Sequence, residues 1–175
     1  DLAVASGADR VIIDLEDAVR RETKPAGRTA IADADLDWSR VIVRINDTTT
    51  TFHAEDIALL KSVNAPAVMV PKAESADELA GIADAVGTSC QLLPQIETVK
   101  SLFAMPELLA TPGVSRVFFG HLDFALDLGS GLDQDAMRYV RSQIVLHSRF
   151  AGKPSPVDSV TPDFRNPDAV TSDEI

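Results

Sequence analysis

The chain has 175 residues, 45% hydrophobic and 25% charged, with a formal net charge of −11 and a pI near 4.6. This length suits one domain with a real core, and the acidity argues against a nucleic-acid or anionic-membrane surface, since both want a basic patch. The single Cys90 excludes an intramolecular disulfide, and no apolar run approaches the ~18–20 residues of a membrane span, so the expected location is cytoplasmic.

The opening DLAVASGADR reads as the last turns of a helix with Gly7 as its stop. RVIIDLED (10–17) is an apolar run ending in acids, the pattern of a strand buried on both faces. A short helix follows over 25–35, with Pro25 in its first turn. RVIVRIN (40–46) is a second buried strand, and 52–63 carries apolar residues at helical spacing behind Thr50 or Thr51 as N-cap. PAVMVPKAE (66–74) is a third strand ending at Pro71. Ser75 and Glu78 then have capping-box spacing ahead of an amphipathic helix.

CQLLPQIE (90–97) is a fourth strand, followed by a helix over 98–109. VSRVFFG (114–120) is the fifth. A long helix is expected over 133–150, closed by Gly152, and PVDSVTPDF (156–164) reads as a sixth strand.

Strand alternates with helix without a hairpin signal, so the sheet should be parallel. The strand-end positions Asp14, Arg44, Pro71, Glu97 and Asp123 recur at intervals of 30, 27, 26 and 26 residues. That is the period of a βα unit, and eight such units make a TIM-type (β/α)8 barrel. The expected fold is therefore α/β, a TIM-type barrel lacking its first strand and C-terminal part in this chain. Residues 1–165 would be the barrel domain, and 166–175 a segment leading to an absent last unit or lid. An open doubly wound sheet is the competitor, but no G-x-G-x-x-G occurs.

A TIM barrel carries its active site at the C-terminal ends of its strands. There this chain places Asp14, Glu16 and Asp17, then Arg44 and Asn46, Lys72 and Glu74, Gln95 and Glu97, and His121 and Asp123. Glu97 and Asp123 end consecutive strands, ~5 Å apart in the hydrogen-bonding direction. Such a pair repels unless a proton or a cation lies between them, and Mg2+ takes one or two carboxylates plus water and substrate oxygens. Arg44 has the fork to hold a substrate carboxylate. Each residue also has an ordinary reading: a strand-end acid as a helix cap or solvated loop residue, Arg44 as a salt bridge to Asp14 or Glu16. His121 reads as a polar loop residue, and His53 and His147 as structural. Asp127 reads as a helix-start or surface residue, and a Schiff-base role for Lys72 is unnecessary beside a metal pair.

GADRVIIDLEDAV, the RIN of RVIVRIN, VPKAES, PQIET and FFGHLDFALDLG, in that order, resemble the citrate lyase β-subunit-like CoA-ester lyases grouped with the HpcH/HpaI aldolases. The resemblance implies a Mg2+-dependent carbon–carbon lyase acting on a hydroxyacyl-CoA such as citryl-, malyl- or citramalyl-CoA, giving an acyl-CoA and a 2-oxo acid. It implies Glu97 and Asp123 as metal ligands, with Glu97 also at the substrate. Arg44 would bind the substrate carboxylate, and the catalytic set would be Arg44 with Asp14, Glu16 and Asp17. Asp158 matches a family Asp, with Ser159 where a Gly is usual. The partners implied are a CoA thioester or 2-oxo acid and further copies of the chain, as a homotrimer or hexamer. An aldolase acting on free 4-hydroxy-2-oxo acids and a non-catalytic CoA-ester-binding subunit are the alternatives. The family's F-V-P-G segment with its following Arg, and its C-terminal lid, are absent from this sequence.

Overall fold

Apolar runs of β-branched residues become strands here, and those at Val41–Arg44 and Ala67–Val70 are covered on both faces, whereas the run expected to be buried at 10–17 leaves Ile12 45% exposed. The computed structural model describes residues 5–131, 134–163 and 165–166. Five parallel strands, β1 (Val11–Asp14), β2 (Val41–Arg44), β3 (Ala67–Val70), β4 (Gln91–Ile96) and β5 (Phe118–Phe119), lie side by side in sequence order. The register sets Asp14 opposite Arg44, Arg44 opposite Met69, and Ile96 opposite Phe119. Sequential order in a parallel sheet with helical crossovers is a half-barrel, and the α/β expectation holds.

The alternation along each strand divides the core in two. Val41, Val43, Val68, Val70, Leu92 and Ile96 point outward against the helices, in one large cluster with Leu60, Leu79 and Leu108. Ile42, Ala67, Met69 and Leu93 point inward and form a smaller cluster with Phe118. Each fully buried Val or Leu is worth ~1.5–3 kcal/mol against exposure, so a one-residue register slip would exchange the two sets and is strongly opposed.

The crossovers are α1 (Lys24–Ala32), α2 (His53–Ser62), α3 (Ala76–Val86), α4 (Val99–Phe103), α5 (Met105–Ala110), α6 (His121–Leu128) and α7 (Gln134–Phe150). Ser75 caps α3 by accepting from the Glu78 N–H. The helix expected over 98–109 divides at Ala104, because Pro106 has no N–H for the preceding turn. Neither Thr50 nor Thr51 caps α2. Its N-cap is Phe52, and the Thr50 hydroxyl is turned to the Asp47 carbonyl.

Two strand expectations shrink. Residues 114–120 run beside β4, but only Phe118–Phe119 form a ladder, with one bridge at Val114. The sixth strand reduces to a bridge between Val157 and Phe118, since Pro154, Pro156 and Pro162 withhold donors around it. Val157 is nonetheless fully used, donating to the Val117 carbonyl and accepting from Phe119 N–H. Asp133 and Phe164 lie outside the described residues, as does most of 166–175. No helix among the described residues is long and apolar enough to cross a membrane.

Candidate active site

A cavity of about 600 Å3 opens at the C-terminal ends of the strands, lined by Asp14, Asp17, Arg44, Glu97 and Asp123 among others. Each is there for a local reason. Asp14 ends β1 and folds its carboxylate back to accept from the Glu16 and Ala18 N–H groups, which fixes the DLED turn. Lys24 reaches back from α1 to donate to the Leu15 and Glu16 carbonyls. The turn therefore cannot drift relative to α1.

Arg44 ends β2 in register with Asp14 and donates to it twice, Nε at 2.8 Å and Nη2 at 2.5 Å. Its Nη1 lies 3.2 Å from Glu16 Oε2, and Nη2 lies 3.5 Å from Asp17. The ion-pair reading of Arg44 thus describes the protein without substrate. Burial is the largest influence and works against the Asp14 charge, but the bond from Arg44, the Ala18 and Glu16 N–H groups and the Arg44 charge together outweigh it, and its pKa falls below the usual carboxylate value. Glu16, more deeply placed, is pushed up by burial despite Lys72 and Arg44.

Glu97 is 1% exposed. Its Oε1 accepts from the Lys72 backbone N–H at 2.8 Å, and its Oε2 is buried with no hydrogen-bond partner among the described residues. Burial raises its pKa to about 7, offset in part by the Lys72 N–H and ammonium. Gly120 is what permits this placement. A Cβ there would stand 2.6 Å from Glu97 Oε2 and 2.9 Å from Gln95 Nε2, so any side chain would displace one of them.

Asp123 is not in a loop. The chain turns at Gly120 straight into α6, which puts Asp123 in its first turn, where the helix dipole favours an acid. No Ser, Thr, Asn or Asp stands at the N-cap, so the usual start signal was missing from the sequence. His121 opens the same helix, buried, with its N–H donating to Ser159 Oγ. Asp127 is a surface residue near the end of α6, and the helix start it serves is that of another helix. It accepts from the Val99 N–H and so caps α4 from α6. Asp158 lines the cavity but is engaged by Arg141 Nε at 2.8 and 3.1 Å.

The acids converge on Lys72. Its Nζ lies 3.1 Å from Glu16 Oε1, 3.8 Å from Asp123 Oδ2 and 4.0 Å from Glu97 Oε1. Burial pulls against its charge, but Glu16 and then Glu97 and Asp123 outweigh it, so its pKa stands above the ordinary lysine value. A lysine so held is a cation, which opposes a free-amine nucleophile and agrees with leaving Schiff-base chemistry aside. Five carboxylates (Asp14, Glu16, Asp17, Glu97 and Asp123) face two cations, Arg44 and Lys72. The excess negative charge calls for a further cation.

The whole length of this arrangement matches one family model. Residues 1–173 fit the model of the HpcH/HpaI aldolase/citrate lyase family. The chain belongs to that family.

Within the family it is 34% identical over 156 residues to the citrate lyase subunit beta-like protein of Mycobacterium tuberculosis, covering 85% of this chain and 55% of that protein. It is 30% identical over 172 residues to a (3S)-malyl-CoA thioesterase of Cereibacter sphaeroides, covering 95% of this chain and 60% of the enzyme. This chain thus spans a little over half the length of such relatives. The solved structure of the M. tuberculosis citrate lyase beta subunit with oxaloacetate and magnesium superposes with a TM-score of 0.86 at 32% identity, covering 97% of this chain and 76% of that one. A second, of the M. tuberculosis protein CitE with magnesium and pyruvate, gives 0.86 at 31% identity and covers 97% and 71%.

The residues here suit the ion those relatives bind. Glu97 offers a buried oxygen with no hydrogen-bond donor among the described residues, and Asp123, in the first turn of α6, lines the same cavity with its side chain 39% exposed. Among the described residues, no group of three or more His, Cys, Asp or Glu forms a protein-only metal cage. Two carboxylates with water and substrate oxygens completing the shell is the Mg2+ pattern.

One network was missed from sequence. Asp56 of α2 is fully buried, bonded to Arg28 Nη1 at 2.9 Å, to Asn46 N–H at 2.8 Å and to Asn46 Nδ2 at 2.6 Å. Asn46 Nδ2 also donates to the Leu15 carbonyl, joining β2 to the DLED turn. The signal was available: Asp56 sits three and four residues before Leu59 and Leu60, an acid on the apolar stripe of its helix.

Proposed function

We propose that the whole protein is a Mg2+-dependent carbon–carbon lyase that cleaves or forms a hydroxyacyl-CoA thioester such as malyl-, citramalyl- or citryl-CoA. The observation that carries this reading is the meeting of buried Glu97 and Asp123 at one cation position beside Arg44, in a chain whose relatives hold magnesium with pyruvate or oxaloacetate. Glu97 and Asp123 are the proposed ligands. When bound, Mg2+ would supply Lewis-acid polarisation of the oxygen that becomes the carbonyl of the 2-oxo acid.

The chain's own residues supply the rest. Arg44 turns part of its fork from Asp14 to the carboxylate of the 2-oxo acid half, bidentate recognition for which guanidinium is suited. Asp14, Glu16 and Asp17 keep the Arg44 side chain aimed at the cavity. In the cleavage direction the substrate hydroxyl loses its proton as its carbon becomes the carbonyl. The C–C bond electrons pass to the carbon beside the thioester, and that carbon takes a proton, so no redox partner is needed.

A second reading is supported by the thioesterase relatives: hydrolysis of the C–S bond by water at the same site, releasing CoA and a free acid. One experiment separates the two. Purified full-length protein with Mg2+ is offered malyl-CoA and the products are resolved by mass spectrometry. The lyase reading expects acetyl-CoA and glyoxylate, with Arg44→Lys lowering turnover by at least about 100-fold because a point charge cannot replace the fork. Free malate and CoA alone would establish the second reading. Turnover of free 4-hydroxy-2-oxo acids in preference to any thioester would overturn both.

A further inference from the structure

Lys72 is held by its main chain in a way few lysines are. Its φ is +45°, a left-handed conformation that costs a residue with a Cβ on the order of 1 kcal/mol. That conformation puts its N–H on Glu97 Oε1 and turns its side chain into the space between Glu16, Glu97 and Asp123. Two of the acids around it are anchored through their main chains. Glu97 is pinned by the Lys72 N–H and by its own N–H to Ser101 Oγ. Glu16 is held by its N–H to Asp14 and its carbonyl to Lys24. The ammonium ends a flexible stem whose side chain is 37% exposed, which leaves it room to shift.

We propose that Lys72 is the resident counter-cation of the Glu97–Asp123 pair, displaced onto Glu16 when a divalent ion binds. Lys72 and Glu16, neither of them a ligand, then set the ion's affinity with opposite sign. This rests on the metal reading above and adds to it a positioning role for two residues. The physical argument is Coulombic. An ammonium and a divalent cation cannot share one pair of carboxylates a few ångströms apart without strong repulsion. Glu16, already at 3.1 Å, is the acceptor that lets the ammonium withdraw without losing its partner.

The test is calorimetric titration of Mg2+ into metal-free full-length protein, with no turnover involved. Lys72→Met is expected to tighten Mg2+ binding about tenfold, because the competitor is gone. It should also lower the melting temperature of the metal-free protein, a loss that saturating Mg2+ restores. Glu16→Gln is expected to weaken binding about tenfold, and in the Lys72→Met background its effect should shrink to about threefold or less. If Lys72→Met does not fold, Lys72→Gln carries the same expectation.

Neutral variants that bind Mg2+ no tighter than wild type would overturn the inference while leaving the metal site intact. So would a Glu16→Gln loss undiminished in the double variant, which would mark a simple through-space effect. Wild-type protein that binds no Mg2+ would instead overturn the metal reading itself.

Discussion

Glu97 is the residue whose environment departs furthest from what a carboxylate prefers. It is buried, one oxygen lacks a hydrogen-bond donor among the described residues, and burial raises its pKa from 4.5 to about 7. An acid with a raised pKa keeps its proton longer in the folded state than in the unfolded one. Its contribution to stability is therefore full below about pH 4.5 and lost as pH rises to about 7. That loss is worth about 3 kcal/mol in the metal-free protein. Denaturant unfolding in chelator at pH 5 and pH 8 should show wild type losing that amount and Glu97→Gln losing little of it. Parallel losses in both proteins would contradict the assignment. Saturating Mg2+ should remove most of the wild-type loss, since the ion takes over the proton's role.

At the scale of elements, the site is held by contacts between crossovers as much as by the strands. α4 has five residues, too few to persist by its own hydrogen bonds. Thr98 and Ser101 cap it reciprocally, Ser101 Oγ also accepts from the Glu97 N–H, and Asp127 reaches over from α6 to the Val99 N–H. The helix that anchors Glu97 is thus tied to the helix that carries Asp123. Asp127→Ala should cost about 1 kcal/mol, the usual value of a lost cap. A thermal melt reads it, and a change smaller than about 0.3 kcal/mol would mean the bond is not formed in solution.

Across the whole molecule, Asp56 joins α1 through Arg28 to β2 through Asn46, and Asn46 passes the connection to the DLED turn at Leu15. Asp56→Ala leaves the 9%-exposed Arg28 with Glu55 as its one carboxylate among the described residues and strips two bonds from Asn46. Breaking such a buried pair costs about 3–5 kcal/mol. Urea unfolding should register most of that, and a loss under about 1 kcal/mol would show that water or Glu55 replaces the carboxylate. Because the network ends at the turn bearing Glu16, the variant should also weaken Mg2+ binding about threefold or more.

The sequence by itself determined the parallel α/β order, the end of the sheet that carries polar residues, and which acids and which arginine stand there. These follow from periodicity and strand-end spacing, which are local properties. Only the tertiary structure decided how those residues pair. Arg44 faces Asp14 because the β1–β2 register sets them opposite. The ammonium between Glu16, Glu97 and Asp123 comes from Lys72, 56, 25 and 51 residues away along the chain. Asp127 as a remote cap, the start of α6 at an uncapped glycine, and the burial of Asp56 were equally beyond local reading. In each case the deciding term is desolvation or Coulomb energy between groups far apart in sequence, and it exists only once the strands are side by side.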